Sequence, residues 1–217
     1  MILCFLIGQW HRRRRCRGRG CSRLGAPPPR MMNMSIIVSL DPSSTIIGVA
    51  VYQTETRRFI EGDFIRPDKG TVGPVVRVES MLPALKETLK AHSPAVILIE
   101  VPTGRQYTRE KGRTTALPVW AWAAGVVYGY CRATFWDKRV LAVDNQEWSR
   151  KKPKDERALI AAALAPGIYT PESAARDKGH DLADAIVMCA WWLDQSRMLY
   201  AKAHMSVDAK LRKAASR

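Results

Sequence analysis

Ile36-Ile37-Val38-Ser39-Leu40-Asp41-Pro42-Ser43-Ser44-Thr45 is the stretch on which the reading of this chain turns. Apolar residues at both alternating positions predict a strand over residues 35–40 that is buried on both faces of a sheet. The run ends on an acid, and Asp41-Pro42-Ser43-Ser44 has the composition of a turn. A strand delivers the residue at its end to a fixed point, so Asp41 is a candidate functional group. The plainer alternative is that Asp41 only opens an Asx-type turn.

Outward from this stretch, Thr45–Gln53 predicts a second strand and Arg57–Arg66 a third, joined by Thr54-Glu55-Thr56. Residues 74–91 have helical spacing, with Val75, Val78, Met81/Leu82, Leu85 and Leu89 on one stripe and Pro83 expected to kink or split it. Pro94–Val101 is a fourth strand, apolar apart from Glu100. Residues 102–115 are polar and read as a loop, and residues 116–134 as a helix. Arg139–Val143 is a fifth strand, and Trp148–Pro153 a basic connector. Lys154–Leu164 and Asp181–Tyr200 are the last two helices, joined by a loop containing Gly and Pro. Three successive strands followed by alternation with helices predict an α/β protein with a five-stranded mixed sheet flanked by helices, in the order β-β-β-α-β-α-β-α-α.

Four carboxylates stand where such a fold can gather them. Asp41 and Glu100 end apolar strands, while Asp181 and Asp184 sit three apart at the head of a helical pattern and share one face. An acid at the end of a buried run is costly without a partner, which singles out Glu100. Asp184 heads an apolar stripe with Val187, Met188 and Trp191, whereas Asp181 could be only a helix-start acid favoured by the dipole. Clustered carboxylates repel unless they are protonated or hold cations, and an all-oxygen set suits Mg²⁺ or Mn²⁺.

The chain has 217 residues, enough for one domain with a real core, and carries a formal charge of +15. Residues 1–30 hold eight arginines and no acid, residues 201–217 account for +4, and residues 31–200 for only +3. The expected organisation is a disordered basic leader over 1–33, a folded body over 34–200 and a basic tail over 201–217. Met31, Met32 or Met34 could be the translation start. Basic arms add salt-sensitive affinity for phosphates without reading sequence. The five cysteines form no CxxC or Cys/His set, which points to a reducing compartment and a cytoplasmic protein. The apolar run at Met1–Gly8 is too short to span a bilayer, so no membrane partner is expected.

The body resembles the RuvC family of Holliday junction resolvases, within the RNase H-like superfamily. Three pieces carry the resemblance: Ser39–Ala50 at the first hairpin, Ile97-Leu98-Ile99-Glu100 on the fourth strand, and Asp181-Leu182-Ala183-Asp184-Ala185-Ile186 on the last helix. The resemblance spans residues 35–193 and implies an RNase H-like fold. It further implies two Mg²⁺ ions, which Mn²⁺ can replace, with Asp41 bridging them and Glu100, Asp184 and Asp181 completing the ligand set. A basic residue at the start of the helix after the fifth strand lies near the scissile phosphate in that family, and Lys154 is the matching position, with a solvated charge as the even alternative. Lys138 or Arg139 resembles a second basic position.

Arg105, Tyr107, Arg109, Lys111 and Arg113, in the loop after Glu100, together with Lys151 and Lys152 in the basic connector, are candidate nucleic-acid contacts. The family carries an aromatic shortly after this Glu, where the present chain has Pro102 and Thr103; Tyr107 comes later. Ala121, Gly125 and Gly129 form a small-residue face on the helix over 116–134. It serves either close packing on the protein's own sheet or the two-fold dimer that the corresponding helix builds in RuvC proteins. His180 is a candidate outer partner of the acids. The expected function is therefore a metal-dependent endonuclease acting on branched DNA, four-way junctions above all, as a homodimer. The alternatives are an RNase H-like nuclease with another nucleic-acid substrate and a catalytically silent nucleic-acid-binding module. An actin-like ATPase would need a second phosphate loop, and the chain shows none.

Overall fold

A computed structural model describes residues 36–102, 116–149 and 152–194, with the side chains of residues 116–118 excepted. The chain divides into two units, Met1–Met32 and Asn33–Arg217, and the first lies wholly outside the described residues.

Five strands form one sheet in the order β3-β2-β1-β4-β5. They are β1 (Ile36–Pro42), β2 (Ile47–Gln53), β3 (Arg58–Ile65), β4 (Val96–Val101) and β5 (Arg139–Asp144). Pairing is antiparallel between β1 and β2 and between β2 and β3, and parallel between β1 and β4 and between β4 and β5. The most apolar strands, β1 and β4, take the centre because both of their faces are covered. The more polar β3, with exposed Arg58, Glu61 and Asp63, takes an edge.

Alternation along β1 divides the core into two layers. Val38 and Leu40 join Ile47, Val49, Ile97 and Ile99 beneath α1 (Pro74–His92) and α2 (Ala116–Thr134). Ile37 joins Ala50, Val96 and Leu98 on the other face, beneath α3 (Asn145–Ser149), α4 (Lys154–Leu164) and α6 (Asp181–Leu193). A further short helix, α5 (Pro171–Arg176), starts at Thr170, whose hydroxyl accepts from the Ser173 N–H. The architecture is an RNase H-like α/β fold.

Several expectations need correction. Two helices, α3 and α5, were not anticipated: α3 converts the first part of the basic connector into a turn that buries Trp148 completely. α1 runs unbroken through Pro83, whose ring lies on the exposed side. Val75, expected on the buried stripe of that helix, is exposed, while Val78, Met81, Leu85 and Leu89 are buried. The last helix is described only to Leu193, so its expected extension to Tyr200 falls outside the described residues.

Candidate metal centre

Parallel pairing of β1 with β4 sets Leu40 beside Ile99, so Asp41 and Glu100 leave neighbouring strands at the same end and on the same face. The turn after Asp41 is closed by Ser43, whose N–H donates to Ile46 O at 2.9 Å and whose hydroxyl accepts from Ile46 N–H at 3.1 Å. Ser43, not Asp41, is thus the residue that holds the turn, and the Asx-turn reading of Asp41 fails.

Asp184 arrives from α6, and a glycine lets it come close. Gly48 lies opposite Asp41 in the β1–β2 ladder, and a Cβ on Gly48 would collide with the backbone carbonyl of Asp181. The first turn of α6 therefore rests directly on the β2 backbone. Asp177, buried, accepts from the N–H groups of Leu182 at 3.3 Å and Ala183 at 3.0 Å and so caps this helix. That leaves the acids of the first turn free of capping duty.

Asp41, Glu100 and Asp184 converge: one carboxylate oxygen from each lies within 4.8 Å of the others, and all three residues are buried. The Asn145 side-chain amide donates to Glu100 Oε1, and Glu100 Oε2 has no hydrogen-bond partner among the described residues. Arg157 Nη2 donates to Asp184 Oδ2 at 2.9 Å. Its Nε stands 2.7 Å from Oδ1 as an ion-pair approach without hydrogen-bond alignment. The guanidinium also lies over the Trp148 ring at 5.2 Å, so Arg157 is held by stacking as well as by charge.

This crowding raises the proton affinity of every member. Burial, then the charges of Glu100, Asp184 and Asp181, pushes Asp41 well above the usual carboxylate range. Burial lifts Glu100 to about 7 against the opposing pull of Asn145 and Arg157. It lifts Asp184 to about 8, with Arg157 opposing and Glu100 adding to the rise. Three buried acids facing one buried cation, Arg157, are short of positive charge, and Glu100 Oε2 is buried without a hydrogen-bond partner among the described residues. The oxygen-only donor set fits a hard divalent cation such as Mg²⁺ or Mn²⁺.

Asp181 stands beside this triad and is not part of it. It is close enough for its charge to raise Asp41, and it is itself lifted to about 6 by burial and by Asp177. Lys154 sits at the rim: its Nζ donates to Gly179 O at 2.6 Å, and its charge lowers the proton affinity of all four acids. His180, in left-handed backbone with φ 65°, faces Asp155 at 3.9 Å. Lys152 is paired with Glu156.

Lys138 and Arg139 do not reach the site. Arg139 pairs with Val96 while Glu100 pairs with Val143, which sets Arg139 ~13 Å back along the strand, at the other end of the sheet. Lys138 pairs there with Asp137 at 3.1 Å. Arg105, Tyr107, Arg109, Lys111, Arg113 and Lys151 lie outside the described residues.

The residues that sequence reasoning missed are Arg157, Asn145, Asp177 and Gly48. Arg157 left a signal, because it shares the buried stripe of α4 with Ile160 and Ala161, as Asp184 does on α6.

Fold and site together define an RNase H-like domain with a buried carboxylate triad. Among solved structures, the chain is similar to Thermus thermophilus RuvC in complex with a Holliday junction substrate, at 18% identity and a TM-score of 0.52, covering 74% of this chain and 96% of that one. A second structure of T. thermophilus RuvC matches at 18% identity and a TM-score of 0.49, over 74% and 96%. The yeast mitochondrial Holliday junction resolvase Ydc2 matches at 14% and 0.42, over 81% and 84%. The first of these supports the fold. No protein-family model matches the sequence, and no curated protein does.

Proposed function

We propose that this protein is a divalent-metal-dependent endonuclease that hydrolyses phosphodiester bonds in branched DNA, with four-way junctions as its substrate. The observation that carries the proposal is the convergence of Asp41, Glu100 and Asp184 at buried strand ends with an all-oxygen donor set. These three residues would hold the cation, with Asp181 within reach of a second one. A bound divalent pair supplies an activated water and stabilises the leaving oxygen of an in-line displacement.

The remaining roles fall to the chain itself. Asn145 fixes the Glu100 carboxylate through Oε1, and Oε2 is left without a hydrogen-bond partner among the described residues. Arg157 fixes Asp184 through its guanidinium, itself stacked on Trp148. Lys154, tethered to Gly179 O, supplies positive charge where a phosphate approaching from solvent gains negative charge in its transition state. The junction preference is supported by the neighbouring fold, since T. thermophilus RuvC is seen with a Holliday junction substrate.

The homodimer is part of the same proposal. Gly125 and Gly129 have open space where a Cβ would sit, while α2 packs on its own sheet through Ala123, Val127 and Cys131. The small-residue face is therefore turned away from the protein's own sheet, and Trp122 and Trp136 are exposed on the same helix and just past its end.

The test is cleavage of four-way junction, duplex, flap and RNA–DNA hybrid substrates with Mg²⁺ and with EDTA. Junction cutting that Asp41→Asn or Glu100→Gln abolishes, with binding retained, is expected. Equal cutting of all substrates would reject the junction preference and keep the nuclease. Cutting of none, with binding intact, would leave a silent binding module.

A further inference from the structure

A second charged feature lies at the same end of the sheet as the triad, and the roles assigned above do not use it. In the ladder, Asp41 faces Gly48 and Gly48 faces Phe64, so Phe64 stands two strands, or ~10 Å, from Asp41. Its ring carries two guanidiniums: Arg66 at 5.3 Å from the centroid and Arg176, from the end of α5, at 5.6 Å. Arg66 Nη2 also donates to Arg176 O at 3.3 Å. Both arginines are exposed, and neither has a carboxylate oxygen within 4.0 Å among the described residues.

Two like charges held against one ring, with no acid between them, repel each other. Stacking on the ring recovers part of that cost. The arrangement presents two forked donors, of the kind that grip phosphate oxygens, to solvent. Its position matters as well. Arg66 follows β3 at the rim, and its field reaches Asp181, so the pair borders the acids on the β3 side. Lys154 stands beside the same acids, tethered at Gly179.

We infer that Arg66 and Arg176, braced on Phe64, form a backbone-phosphate clamp that holds the substrate strand a short distance from the bond at the triad. At ~3.4 Å of axial rise for each nucleotide of one strand, the ~10 Å between Asp41 and Phe64 corresponds to about three nucleotides. The inference rests on the nucleic-acid reading above and deepens it.

The test is binding of a fluorescent four-way junction in EDTA, where nothing is cut, measured by anisotropy across a salt series. Each arginine that meets a phosphate contributes about 0.7–0.9 to the slope of log affinity against log salt. Arg66→Gln/Arg176→Gln is expected to weaken binding about tenfold at low salt and to flatten that slope by between one and two. Arg66→Lys/Arg176→Lys is expected to keep most of the slope, which separates lost charge from lost folding. Arg58→Gln, at the far end of the sheet, is expected to leave the slope unchanged. A wild-type slope in the double Gln variant, or an equal loss in Arg58→Gln, overturns the clamp while the nuclease reading stands. A wild-type protein that binds but cuts nothing sinks the nuclease reading and leaves the clamp to the same slopes. Absence of binding by the wild type overturns both.

Discussion

Glu100→Gln separates what the site costs from what it does. Gln keeps the size of Glu and an oxygen that can accept from Asn145, so the substitution removes a charge with little change in packing. Burial has raised Glu100 from 4.5 to about 7, so between these values the folded protein binds a proton that the unfolded chain releases. For a raised carboxylate, its share of stability is intact below pH 4.5 and is lost as pH climbs through about 7. At ~1.4 kcal/mol for each tenfold change in proton affinity, the ionised group costs the metal-free fold up to ~3 kcal/mol at pH 8.

In EDTA at pH 8, Glu100→Gln is therefore expected to be more stable than wild type by ~1–3 kcal/mol. For a chain of 217 residues that is a Tm higher by ~3–10 °C. At pH 4 the two proteins should melt together. Mg²⁺ at a hundred times its dissociation constant would add ~2.7 kcal/mol to wild type and little to the variant, narrowing or reversing the gap. Thermal melts at the two pH values, with and without Mg²⁺, provide the measurement. A variant that melts below wild type in EDTA at pH 8 would refute the view that the cluster is strained by its own charge.

Other substitutions probe the supports. Gly48→Ala places a methyl group against the Asp181 carbonyl and should cost ~1–3 kcal/mol by overpacking; displacement of α6 should lower Mg²⁺ affinity measured by calorimetry. Arg157→Met strands Asp184 in a buried site and should cost ~3–5 kcal/mol in urea unfolding, with part of the loss recovered in the Arg157→Met/Asp184→Asn double variant. Lys154→Gln should slow single-turnover cleavage about 100-fold while junction binding changes only a few-fold.

The sheet was legible because its central strands are apolar on both faces and its edge strand is not. The triad was legible for a related reason: a charge at the end of a buried run, or at the head of a buried stripe, stands out against its neighbours. Its supports could not be read in the same way. Asn145 matters only because β5 lies parallel to β4, with Glu100 opposite Val143, so that the residue just past the end of β5 can reach the Glu100 carboxylate. Arg157 is the partial exception: it heads the stripe of Ile160 and Ala161, but within Lys154-Asp155-Glu156-Arg157 that signal is masked by neighbouring surface charge. Asp177 and Gly48 act through backbone contacts that only the folded chain displays. Lys138 and Arg139 show the converse limit, since closeness to a strand says nothing about which end of it a residue occupies.

The third carboxylate comes from the last element described, and it is seated by contact of α6 with a strand laid down near the start of the fold. A nascent chain that has made Asp41 and Glu100 but not yet Asp184 lacks the complete grip on a cation. On the nuclease reading proposed above, hydrolysis would therefore wait on the docking of one helix.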